Sequence, residues 1–179
     1  MSEHTKKYNT KQELFIALQA MGKFQAIHNL IRKDYQELLK VTENNKSTEF
    51  VFNALYRASL RSLFSLIEAD IYGFNMLDKY ENYDDKKDDF IKKFKSTFIQ
   101  IGKTWNKAEI QKKYFDSKLQ MLTELKKMRD ELVHPKEIEH IHKATETNFE
   151  KLKTVFNDYD AFMNEIMNDF FISAPSSLF

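Results

Sequence analysis

Glycine and proline are nearly missing from this chain, with three and two among 179 residues. Tight β-hairpin turns and the glycine-rich loops that cradle phosphates both need residues that tolerate positive φ or preset a turn. An all-β fold or a nucleotide-binding α/β fold therefore has almost nothing to be built from, and an all-α fold is expected. With 42% hydrophobic residues and 16 Phe, the chain is too apolar to remain disordered, and its length suits a single core. The absence of cysteine removes disulfides, zinc–thiolate sites, iron–sulfur clusters and a cysteine nucleophile together, and it fits a reducing compartment. No apolar run approaches the ~20 residues that span a bilayer, and the opening MSEHTKKYNT has no apolar leader core. A soluble, cytoplasmic protein without membrane association is expected.

Hydrophobic periodicity divides the chain into helices. Residues 11–41 carry Leu14, Leu18, Met21, Ala26, the pair Leu30 and Ile31, Tyr35 and Leu38 at spacings of three to five, which predicts one amphipathic helix, bent near Gly22. The polar stretch 42–46 ends it, and Ser47 or Thr48 is suited to cap the next. Phe52, Tyr56, Leu60, Leu63, Ile67, Ile71, Phe74 and Leu77 then keep helical spacing, and Leu55, Leu66 and Met76 widen the apolar stripe. This second helix should lie centrally, touching neighbours on more than one side. A polar connection follows at 80–87, then a short helix over 88–103 ending near Gly102. A third long helix is predicted over 107–133, interrupted by Pro135, and a last one from Ile138 to Phe170. The expected architecture is an antiparallel bundle of about four long helices with a short extra one, in a single domain over 1–179.

The segment KKMRDELVHPK, residues 126–136, carries the most chemistry. Arg129 and His134 would point about 140° apart on an unbroken helix. Pro135 disfavours α conformation in the residue before it, which places His134 at a helix break and lets a new helix restart at Pro135. There an Arg and a His can converge on one anion. Arg offers a permanent planar fork for phosphate oxygens, and His exchanges a proton near neutral pH. The alternative is a plain helix C-terminus, with both cations facing the last carbonyls and the dipole.

Arg129-Asp130-Glu131-Leu132-Val133-His134 resembles the signature of HEPN domains, in which an Arg is followed after four to six residues by His, usually with a polar residue after the Arg. The preceding helix, RASLRSLFSLIEADIYGFN, looks like its counterpart in several prokaryotic members, which carry an acidic residue corresponding in style to Glu68. The resemblance covers about residues 48–172, with the helix at 11–41 packed on that part. It implies a homodimer with two motifs meeting in an interface cleft, and a metal-independent endoribonuclease of the toxin–antitoxin or phage-defence kind, with no cofactor or metal. His134 would then be the acid/base, Arg129 the phosphate ligand and Asp130 the residue orienting one of them, with Glu68 in support. Cleavage would use the RNA 2′-hydroxyl and leave a cyclic phosphate. Other members have lost catalysis and bind RNA, a nucleotide or a protein partner such as an antitoxin, and that reading stays open.

Several residues compete for attention. Glu68 and Asp70 interrupt an apolar stretch, so one of them should be drawn to a cation, and Glu68 is the choice. Arg57, Arg61 and Glu68 share a helix face, as a surface ion-pair ladder or as the rim of the same cleft, the ladder being preferred. Glu137-Ile138-Glu139-His140-Ile141-His142 contains Glu-x-x-His twice, but on one segment rather than two helices, so no metal is expected. His4 and His28 read as surface or polar-face residues, and Trp105 as a loop anchor rather than a base-stacking platform. The net charge of +1 hides a regional imbalance, since residues 86–153 hold 17 basic and 11 acidic side chains. Lys126, Lys127 and Lys136 lie closest to Arg129 and His134, as an RNA-phosphate site requires.

Overall fold

The computed structural model describes Tyr8 and residues 10–168, which contain six α-helices and no strand. They are α1 (Lys11–Asn44), α2 (Glu49–Leu77), α3 (Phe90–Thr104), α4 (Ala108–Ser117), α5 (Leu119–Val133) and α6 (Glu146–Met167), with one 3-10 turn at Ile138–His140. No helix among the described residues is long and apolar enough to cross a membrane.

α1 begins at Thr10, whose Oγ1 accepts the Glu13 N–H at 3.1 Å and satisfies one of the open donors of the first turn. It continues as one helix through Gly22 and past the expected end at 41, because Thr42 is buried and meets Ser59 of α2 at 3.0 Å. A short turn reverses the chain into α2, with Thr48 at the N-cap position but making no side-chain cap bond. The pairs Thr42–Ser59, His28–Asp70 and Phe24–Phe74 descend one helix as they ascend the other, which makes α1 and α2 an antiparallel hairpin.

α2 is the central helix and packs against α1, α3, α5 and α6. Phe52, Tyr56, Leu60, Leu63, Ile67, Ile71 and Phe74 are all buried, as the spacing predicts, while Met76 lies exposed on the outer face beside Tyr72. An aromatic column crosses the interior from Phe24 through Phe74 and Phe98 to Phe162, which stacks on Tyr114 at 4.3 Å between centroids. Trp105 packs edge-on against Phe74 and is only 1% exposed. It anchors the α3–α4 joint, so it offers no face to a base. α3 runs past Gly102 to Thr104, and Asn106, at φ 56°, supplies the left-handed residue that lets the Lys107 N–H reach the Gly102 carbonyl at 2.8 Å.

Two helix expectations are corrected. The helix expected over 107–133 divides at Lys118 into α4 and α5. The five-residue step from Tyr114 to Leu119 would turn the buried stripe by about 140° on a straight helix, and the break at Lys118 returns both side chains to the core. The last helix begins at Glu146, not 138, and no helix restarts at Pro135. Ile138 is exposed and gives a helix there nothing to bury, whereas Thr145 caps α6 by accepting the Asn148 N–H at 3.1 Å. Phe170 lies outside the described residues.

One buried polar network was not legible. His28, read as a surface or polar-face residue, is buried, and its Nδ1 lies 2.8 Å from Asp70. Tyr159 of α6 donates its hydroxyl to the other Asp70 oxygen, also at 2.8 Å. Asp70 thus joins α1, α2 and α6, and Arg32 adds a second link between α1 and α6 by donating twice to Asp160. Both acidic residues of the apolar stretch therefore find partners, Glu68 toward Arg129 and Asp70 toward His28.

Two predictions follow from the hairpin. A Cβ on Gly73 would lie 2.2 Å from Phe24 Cδ2, with Cε2 and Cγ of the same ring at 2.9 and 3.1 Å, whereas a Cβ on Gly22 meets nothing within 4 Å. Gly73→Ala should cost about 1–3 kcal/mol in chemical denaturation, while Gly22→Ala should be neutral or stabilise by up to ~1 kcal/mol. Burial pushes the Asp70 carboxyl up, against the hydrogen bonds from His28 and Tyr159 that pull it down. The folded protein then holds this proton more tightly than the unfolded chain. The resulting stability is complete in acid, below the ordinary aspartate value, and is lost as the pH rises through the raised value. As the pH rises from below the ordinary aspartate value, wild type should therefore lose stability relative to Asp70→Asn; a flat or rising difference contradicts this.

Candidate functional site

α5 is held to the bundle by Leu119, Leu122, Leu125 and Leu132, and Arg129, one turn beyond Leu125, falls at the margin of that buried stripe. Its side chain is 23% exposed and turns toward α2, where Nη2 lies 3.5 Å from Glu68 Oε1. Nη1 donates to Asp130 Oδ1 at 3.3 Å, and Nε is buried with no hydrogen-bond partner among the described residues. Asp130 also accepts from Lys126, whose ammonium sits 5.6 Å from the centre of the Phe90 ring. The structure thus gathers Lys126, Arg129, Asp130 and Glu68 into one cluster of two cations and two carboxylates. Arg129 is directed to a carboxylate of another helix rather than to the terminal carbonyls of its own.

His134 stands at the C-cap of α5 with φ −125° and ψ 60°, and its backbone N–H still closes the helix on the Asp130 carbonyl at 2.9 Å. The side chain is exposed, and among the described residues its imidazole makes no hydrogen bond or ion pair. No bond joins it to Arg129 or Asp130, so Asp130 orients the arginine and not the histidine. Lys127 is exposed and lies 3.9 Å from Glu131, which is not part of the cluster. Lys136 is exposed, and its backbone N–H donates to His140 Nδ1 at 3.0 Å. Of the candidate residues, Lys126, Arg129, Asp130 and Glu68 form one cluster, and the side chains of Lys127, His134 and Lys136 make no hydrogen bond or ion pair with it.

The segment from 134 to 145 is irregular but tethered. His142 Nε2 lies 2.7 Å from Glu131 Oε2, and the Ala144 N–H donates to Asn53 Oδ1 at 2.6 Å. Of the two Glu-x-x-His histidines, His142 is thus paired with Glu131 of α5, and His140 accepts the Lys136 N–H. Spacing carried no sign of the bonds to Glu131 and Asn53, because they join a loop to helices 11 and 91 residues away. The ion-pair ladder expected on α2 is not formed, since among the described residues neither Arg57 nor Arg61 makes a side-chain hydrogen bond or ion pair. Another carboxylate cluster, Glu43, Glu146 and Glu150, is bridged by Lys46 and Lys153, which supply the cations it needs.

Compared with known proteins, the chain matches no family model, no curated protein and no solved structure.

Asn53→Ala removes the acceptor that holds the Ala144 N–H. Hydrogen exchange of the amides around residue 144 should accelerate while the α2 core stays protected, and an unchanged rate would show that the tether is idle.

Proposed function

We propose that this protein is a HEPN-like, metal-independent endoribonuclease of the toxin or phage-defence kind, working as a homodimer. One observation carries the reading. Arg129 is held by Glu68 and Asp130 with a buried Nε donor still unmet, and the unpartnered imidazole of His134 stands at the end of the same helix. A scissile phosphate would take the guanidinium as its charge-stabilising ligand, with Lys126 beside it. His134 of one protomer would remove the proton of the 2′-hydroxyl as its oxygen attacks phosphorus. The P–O5′ bond breaks, a 2′,3′-cyclic phosphate remains, and the departing oxygen takes a proton from the second copy of His134. The exposed apolar side chains of Val133 and Ile138 flank His134, which suits a two-fold contact there.

A second reading, a non-catalytic module that binds RNA, a nucleotide or a protein partner, is favoured by the internal pairing of Arg129 and its lack of any bond to His134. Incubating RNA with the protein in EDTA separates the two. Wild type should cut and leave cyclic-phosphate ends, and His134→Ala should lower the rate by about 100-fold or more. Equal cutting by both excludes His134 as the acid/base, and intact RNA with retained binding selects the binding module.

A further inference from the structure

We propose that Phe50, Arg57 and Arg61 on α2 form a track that binds the backbone of single-stranded RNA and leads it to Arg129; this rests on the RNA-directed reading above. Asn53 and Glu68 of α2 both touch the segment that carries the site, through Ala144 and Arg129 respectively. Arg57 and Arg61 lie between those two points at helical steps of four, four and seven, on the same face. They therefore flank the run from Arg129 to Ala144, which contains His134, Lys136 and Lys143.

Among the described residues, neither arginine side chain makes a hydrogen bond or ion pair. Glu68 and Glu131 are already engaged with Arg129 and His142. Two free guanidinium forks one turn apart stand about 6 Å from each other along the axis, the scale that separates neighbouring phosphates of an extended strand.

Phe50 decides the kind of polyanion. It is 81% exposed and lies two turns before Arg57 on the same stripe. An aromatic ring displayed in water gains nothing for the fold, but it stacks an unpaired base, and cationic grooves with aromatic platforms are how single strands are held without sequence preference. A duplex hides its base faces, and an acidic polypeptide has none. From Phe50 to Glu68 the stripe covers about 27 Å, enough for several nucleotides.

The test uses fluorescence anisotropy with a labelled 2′-O-methyl oligouridine, which no 2′-hydroxyl attack can cleave, over a salt series in EDTA. Arg57→Ala/Arg61→Ala should weaken binding about tenfold near 0.1 M salt and flatten the salt slope by about 1.4, the loss of two phosphate contacts on a single strand. The double Lys variant should keep the slope. Phe50→Ala should weaken binding about fivefold or more with the slope unchanged. Wild-type affinity and slope in the double Ala variant would overturn the track alone, as would wild type that cuts RNA without binding the oligonucleotide. Wild type that neither binds nor cuts RNA overturns the track and the RNA-directed reading together. Tighter binding of wild type to polyglutamate than to the oligonucleotide would assign the surface to an acidic protein and overturn the proposal.

Discussion

The burial of α2 is the constraint on which the rest of the molecule depends. Its apolar stripe packs against four other helices, and once that stripe is buried the phase of every other α2 residue is set. Gly73 and Asp70 then face α1, where the glycine admits the Phe24 ring and the carboxylate meets His28. Glu68 faces α5 and draws in Arg129, and Asn53 holds the loop that follows. A single 29-residue helix thereby positions the hairpin, the buried polar network and the candidate site. The core and the site share a scaffold, so a change in the packing of α2 moves both.

Electrostatics treats the two acidic residues of α2 differently because their burial differs. Asp70, at 1% exposure, has lost its hydration and takes hydrogen bonds from two helices in compensation. Glu68, at 40%, remains partly in water, and its attraction to Arg129 is screened accordingly. A screened pair is one that an arriving anion displaces at small cost. A phosphate would bring acceptors for the unmet Nε as well, where neither neighbouring carboxylate bonds to it. Arg129 is thus held in place without being saturated, which is the condition a binding arginine must meet.

Much of the helix placement was legible because it depends on local periodicity. Phe52 to Phe74 recur at the helical step and are buried as that step requires. Periodicity failed where the core demanded a change of phase or offered no partner. The step from Tyr114 to Leu119 needed a break, and Ile138, though apolar, found no surface to cover. Polar partners were legible only in part. That Glu68 would be drawn to a cation was expected from an acid set in an apolar run, but the ladder with Arg57 and Arg61 was preferred and Arg129 proved to be the partner; His28 gave no signal, since its partner lies 42 residues away on another helix.

The sequence by itself determined an all-helical bundle, through its scarcity of turn residues and its helical spacing, and it singled out the Arg129 to His134 segment. Both are local properties, carried by neighbours three to five positions apart. Only the tertiary structure decided which charges meet. It paired Arg129 with Glu68 and Asp130, gave the side chains of His134, Arg57 and Arg61 no partner among the described residues, and buried Trp105 and His28. Ion pairs and burial depend on distances between helices remote in the chain, which are set when α2 closes against its neighbours.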